Sequence, residues 1–197
     1  MFLNLAREAA RGLDRNKPIS KTSASEAFIM TDIDKYLDEI SRLWPEPSES
    51  PTKEIVDLCL QAVAEHPKSS TLWYYCGIIM HLCSEDYGYG PQDYFQCFEN
   101  SIKYDDTNAE AYQELGYVLE VYSDEYGMAE ESFRKAIELG AGSESYYGRA
   151  RALAEMGKTD CALESLSEKN CPFSDCPDIQ EIRGEILDGS WSPEKNV

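Results

Sequence analysis

The sequence predicts an all-α protein, an α-solenoid of about four helix–turn–helix repeats followed by a C-terminal capping helix. Three observations predict it. Ala109 to Leu139 carries two apolar sets at helical spacing, Tyr112, Leu115, Gly116, Leu119 and then Ala129, Phe133, Ala136, Ile137, separated by the polar turn 123–127. The pattern recurs: Trp73 and Gly77 return 39 residues later as Tyr112 and Gly116, and Tyr146 follows Tyr112 by 34. The turn recurs as well, since Ser84-Glu85-Asp86-Tyr87-Gly88 answers Ser123-Asp124-Glu125-Tyr126-Gly127.

The chain opens with a segment unlike the rest. Residues 1–29 hold five basic and three acidic residues, a net of +2, which leaves −21 of the total −19 on residues 30–197. Phe2, Leu5, Ala9 and Leu13 make a short amphipathic pattern before Pro18, and residues 20–25 read as a linker. A transit peptide, a basic arm folded on the acidic body and a mobile or non-native extension are all consistent with this composition; Glu8 and Asp14 count against the first. The repeat domain is expected over residues 30–188, with Thr31 and Asp34 capping its first helix and residues 189–197 forming a tail with Trp191 tucked back.

Within that domain, Ile33, Leu37, Ile40 and Leu43 form the stripe of a first helix. After a connection containing Pro45, Pro47 and Pro51, its partner carries Ile55, Cys59 and Ala62, with Ser50 as N-cap and Pro51 at the first helical position. The second copy holds Trp73, Cys76-Gly77 and Met80, then Tyr94, Phe98 and Ser101 after an insertion in the turn. The third is Ala109–Leu139, with Thr107 and Glu110 as a capping box and Gly140 as C-cap. The fourth holds Tyr146, Ala150, Leu153, Ala162 and Leu166 around the turn Gly157-Lys158. Cys171-Pro172 and Cys176-Pro177 then break the chain before a last helix with Ile179, Ile182, Ile186 and Leu187 on one face.

This period, the aromatic opening and the small contact residues resemble the tetratricopeptide repeat family. The best copy matches it with Tyr112, Leu115-Gly116, Leu119, Ala129, Phe133 and Ala136; the fourth departs at Arg149, where the family prefers Leu. The resemblance implies a right-handed superhelix whose first helices line a concave groove. On this chain the inward positions are Thr71, Tyr74, Ile78 and His81, then Glu110, Gln113, Tyr117 and Glu120, then Glu144, Tyr147, Arg151 and Ala154. Tyr74, Tyr117 and Tyr147 would form an aromatic track flanked by carboxylates, and packing between repeats is the competing reading of the same tyrosines. Members that clamp the C-terminal carboxylate of heat-shock chaperones use Lys, Asn and Arg there. Here those places hold Tyr, Gln, Glu and one Arg, which disfavours that activity. Tyr87 and Tyr89, in the glycine-flanked insertion, form a candidate contact loop.

Composition excludes several classes. The charge of −19 opposes non-specific nucleic-acid binding, and no run of roughly eighteen apolar residues could span a membrane. His66 and His81 are the sole histidines, and His81 near Cys83 lacks the orienting group a nucleophile pair needs. The seven cysteines lack zinc-knuckle spacing, and the turn 84–88 lacks a calcium-loop ladder. No glycine-rich phosphate loop is present. The expectation is therefore a cytoplasmic, non-enzymatic scaffold without metal or cofactor. It would bind a basic or aromatic-basic protein segment in the groove; the alternative is an acidic dedicated chaperone or immunity-like inhibitor masking a basic partner.

Overall fold

The computed structural model describes residues 31–45, 49–83 and 87–191. The expectations for residues 1–30, Pro47, the turn residues Ser84, Glu85 and Asp86, and the tail beyond Trp191 fall outside the described residues. All regular structure among the described residues is helical: α1 (Asp32–Leu43), α2 (Lys53–Glu65), α3 (Ser70–Leu82), α4 (Pro91–Tyr104), α5 (Ala109–Ser123), α6 (Tyr126–Glu138), α7 (Ser143–Glu155), α8 (Thr159–Ser165) and α9 (Pro177–Asp188). Within each unit consecutive helices pack on one another, as in a helical repeat array. No described helix is long and apolar enough to cross a membrane. Contacts divide the chain into two units, residues 1–104 and 105–197.

In the first unit α1 begins as the sequence predicts. Asp34 donates its amide to the Thr31 hydroxyl at 3.1 Å, and the Asp34 carboxylate accepts the Thr31 amide at 2.8 Å. Only Ile40 of the α1 stripe is fully buried; Ile33, Leu37 and Leu43 are half-buried. The start of α2 differs from expectation. Thr52, not Ser50, precedes the helix with extended backbone, and Pro51 lies outside it with its ring buried. The α3–α4 pair is built on a single close approach: a methyl at Gly77 would sit 2.7 Å from the ring of Phe98, which is fully buried. Beside it the Ser70 and Ser101 hydroxyls are 2.9 Å apart, so the small residue at 101 closes a polar contact within the pair.

The second unit is organised around Phe133 of α6. Its ring lies so near α5 and α7 that a methyl at Gly116 would be 2.8 Å from it, and one at Gly148 would be 2.4 Å away. Two glycines on two different helices thus clamp one aromatic ring, and Tyr117 meets its edge at a centroid distance of 4.9 Å. Ala129 and Ala136 are fully buried on either side. Tyr112 and Leu115, expected to fill this core, are only half-buried; Tyr117 and Val118 take that place.

Helix ends in this unit are set by backbone chemistry. The N-cap of α5 is Asn108, whose side chain accepts the Ala111 amide at 3.0 Å. Thr107, the expected cap, instead donates its hydroxyl to Asp105 at 2.6 Å, so the capping box with Glu110 does not form. Gly140 ends α6 as expected: its φ is 92°, and the amides of Gly140 and Ala141 close on the carbonyls of Ile137 and Ala136, both at 3.0 Å. Gly157 repeats the motif after α7, with Gly157 and Lys158 donating to Ala154 and Leu153 at 2.8 and 2.9 Å. Finally α9 seals the stack with Ile179, Ile182 and Ile186 against Leu153, Ala162 and Leu166. Leu187 does not join that face; it is 63% exposed.

Candidate partner-binding face

The residues expected to line a groove have different fates. In the first unit Tyr74 is buried against Tyr75 and Phe98, with ring centroids at 5.4 and 6.3 Å, and Ile78 is fully buried. His81 stacks on Tyr94 at 4.8 Å, and its burial lowers its pKa. The Cys83 thiol nearby lies 3.8 Å from the Met80 carbonyl. His66 caps α2 and meets Tyr36 edge-on at 5.8 Å. Burial also raises the thiol pKa of Cys59, to about 12, and a hydrogen bond with Cys97 together with burial raises that of Cys76; buried thiols of this kind are inert and pack as small hydrophobes. Tyr87 is exposed, and Tyr89 is half-buried with burial raising its pKa.

In the second unit the expected face of α5 turns against α7. The Tyr117 hydroxyl donates to the Glu144 carbonyl at 3.0 Å, and the Ser145 hydroxyl donates to Gln113 Oε1 at 2.7 Å. Further along, Arg151 Nε stands 2.9 Å from Glu120 Oε1, with the Glu120 side chain only 2% exposed and that of Arg151 18%. Gln113, Tyr117 and Glu120 therefore join two helices of one unit. The packing reading of the tyrosines describes Tyr74 and Tyr117: helix-on-helix contact consumes the ring faces that a bound segment would need.

Tyr147 and Arg151, on α7, are only half-buried, so this part of the expected track reaches solvent. The guanidinium lies over the Tyr147 ring at 5.8 Å and over the Trp191 ring at 5.3 Å. Trp191 reaches it through a turn after α9. Gly189 takes φ 72°, Ser190 Oγ donates to the Glu185 carbonyl at 3.2 Å, and the Trp191 amide donates to the same carbonyl at 2.9 Å. The expectation that Trp191 tucks back thus holds, and its contact with Arg151 is a feature that no periodic pattern could locate.

The electrostatics of this cluster are unbalanced. Burial pushes the Glu120 carboxyl up to about 7, opposed by Arg151 and reinforced by Glu155. Burial likewise raises Tyr147, with Arg151 opposing and Glu185, Glu181 and Glu120 adding to the rise. The Tyr147 ring thus feels one guanidinium, Arg151, and three carboxylates, Glu120, Glu181 and Glu185, while Glu155 acts on Glu120. Hydrogen bonding is incomplete as well: both Glu120 oxygens, Arg151 Nε and Trp191 Nε1 are buried without an aligned partner among the described residues. At 2.9 Å the Arg151–Glu120 contact is an ion pair whose N–H does not point at the oxygen. Deeper in α5, burial alone pushes Glu114 up to about 7.

Other polar contacts are structural. Arg149, where an apolar residue was expected, pairs with Glu130 at 2.7 Å and so bridges α7 to α6. Among the described residues no group of three or more metal-capable side chains converges. No known family model matches the chain, and no curated protein matches it in sequence.

Proposed function

We propose that the chain is a non-enzymatic, tetratricopeptide-like adaptor that binds an aromatic-basic segment of a protein partner through the face around Tyr147 and Arg151. The observation that carries this reading is the charge arrangement there: a guanidinium over two rings and paired with Glu120, beside a Tyr147 ring that also feels the carboxylates of Glu181 and Glu185. An aromatic side chain of the partner stacks on Arg151, and flanking Lys or Arg side chains meet the carboxylates at the rim. Tyr74, Ile78 and Tyr117 hold the helices together and contribute to binding only by doing so. A cytoplasmic setting belongs to this reading, since all seven cysteines are free thiols.

The net of −21 on residues 30–197 supports a second reading, an acidic chaperone or inhibitor that masks a basic partner over a broad surface. Salt separates the two. A labelled Lys/Arg-rich peptide with one tryptophan, followed by fluorescence anisotropy against the full chain, is expected to bind at about 50 mM salt and to lose no more than about tenfold in affinity at about 300 mM, because the ring contact is not screened. A loss of a hundredfold or more, matched by a peptide without the tryptophan, supports the masking reading. Absence of binding at the lower salt contradicts both.

A further inference from the structure

We infer that the segment after α9 is an autoinhibitory strap, in which Trp191 occupies the position on Arg151 that an aromatic residue of a partner takes. This deepens the proposed function and rests on its assignment of the Tyr147–Arg151 face to a partner.

The strap is a defined structure. Gly189 ends α9 in the left-handed region at φ 72°, which favours glycine, and the reversal there sends the chain back toward α7. The Trp191 amide and the Ser190 hydroxyl both donate to the Glu185 carbonyl, fixing the direction of the turn. The indole then lies against Arg151 at 5.3 Å, the second ring beside Tyr147 that the guanidinium meets.

The contact is also incomplete. A tryptophan serving only as core normally finds a partner for its buried N–H. Among the described residues Trp191 Nε1 is buried with none, and the Arg151 Nε and the Glu120 carboxylate it pairs with also lack aligned partners. The indole brings ring area to the site but leaves its polar groups unsatisfied. A segment that brings both a ring and well-placed donors for Glu120 makes the better occupant, so Trp191 is displaceable. The strap competes through its attachment: a short tether gives an effective concentration on the order of 1 mM, which a modest affinity is enough to exploit. A partner must therefore outcompete an aromatic residue that is always present.

The test uses the full chain and a synthetic peptide of residues 189–197, Gly-Ser-Trp-Ser-Pro-Glu-Lys-Asn-Val, labelled for anisotropy. Trp191→Ala empties the position, and this variant is expected to bind the peptide at least about tenfold more tightly than the wild type, whose own strap competes. The same peptide with alanine for tryptophan is expected not to bind. Trp191→Phe, which keeps a ring and leaves the backbone turn alone, is expected to return toward the weak binding of the wild type. Equal affinity for wild type and Trp191→Ala overturns the strap, and so does no binding to either at about 1 mM peptide, the effective concentration the tether supplies. The probe carries one acidic and one basic side chain, so this outcome is separate from that of the basic-peptide assay. Failure there with exchange here removes the basic ligand and keeps the strap.

Discussion

Phe133→Ala is expected to cost about 3–5 kcal/mol in urea unfolding. The ring is fully buried, and it is the common contact of α5 and α7 through Gly116 and Gly148. Its removal leaves a cavity bounded by backbone on two sides, and glycines have no side chains to collapse into it. The opposite change tests the same contact. Gly148→Ala places a methyl 2.4 Å from a ring that Gly116 also approaches closely. Overpacking of this kind costs about 1–3 kcal/mol. A cost below about 1 kcal/mol for Phe133→Ala would mean that the clamp is not what holds the three helices together.

Arg151→Gln is expected to cost about 3–5 kcal/mol at pH 8, because it leaves the Glu120 carboxylate buried with no compensating charge. The cost depends on pH, with a sign fixed by the protonation of Glu120. Burial raises its folded pKa to about 7 despite Arg151. An unfolded glutamate titrates near 4.3, so the folded state binds more protons between about pH 4.3 and about 7, and stability falls as pH rises through that window. Without Arg151 the folded pKa rises further, and the loss continues to higher pH. The variant is therefore expected to lose less than about half as much at pH 5.5, where Glu120 is protonated, as at pH 8. Adding Glu120→Gln is expected to recover most of the loss, and the double-mutant cycle isolates the pair. A cost that is equal at both pH values would show that Arg151 acts by packing rather than by charge.

The fold was legible because packing rules leave periodic marks. Gly116 and Phe133 stood out at repeat spacing, and each proves to be a contact residue. Gly148 did not, because it lies next to Arg149, a position that breaks the pattern; the Arg149–Glu130 pair explains how the break is accommodated. Caps were less legible. Asn108 rather than Thr107 starts α5, and Thr52 rather than Ser50 precedes α2, since a one- or two-residue shift of backbone dihedrals selects among adjacent residues of similar chemistry.

The site was legible only in part. Helical positions indicated which residues share a face, but not that the α5 face would be covered by α7. An opposite-charge pair on consecutive copies, Glu120 and Arg151, was the available signal for that contact. Trp191 carried no periodic signal at all, since it sits in a polar tail; its isolation there was the only mark.

The reading of Tyr147 and Arg151 as the working face is tested most directly by a residue-resolved NMR titration of the full chain with the tryptophan-containing basic peptide. Saturable shifts are expected at Tyr147, Arg151, Glu155, Glu181 and Glu185, with the Trp191 indole N–H moving as the strap is displaced. Tyr74 and Ile78, in the core of the first unit, are expected to stay unchanged. Saturable shifts centred on Tyr87 and Tyr89, or a titration that leaves Arg151 and Trp191 unperturbed, would contradict it.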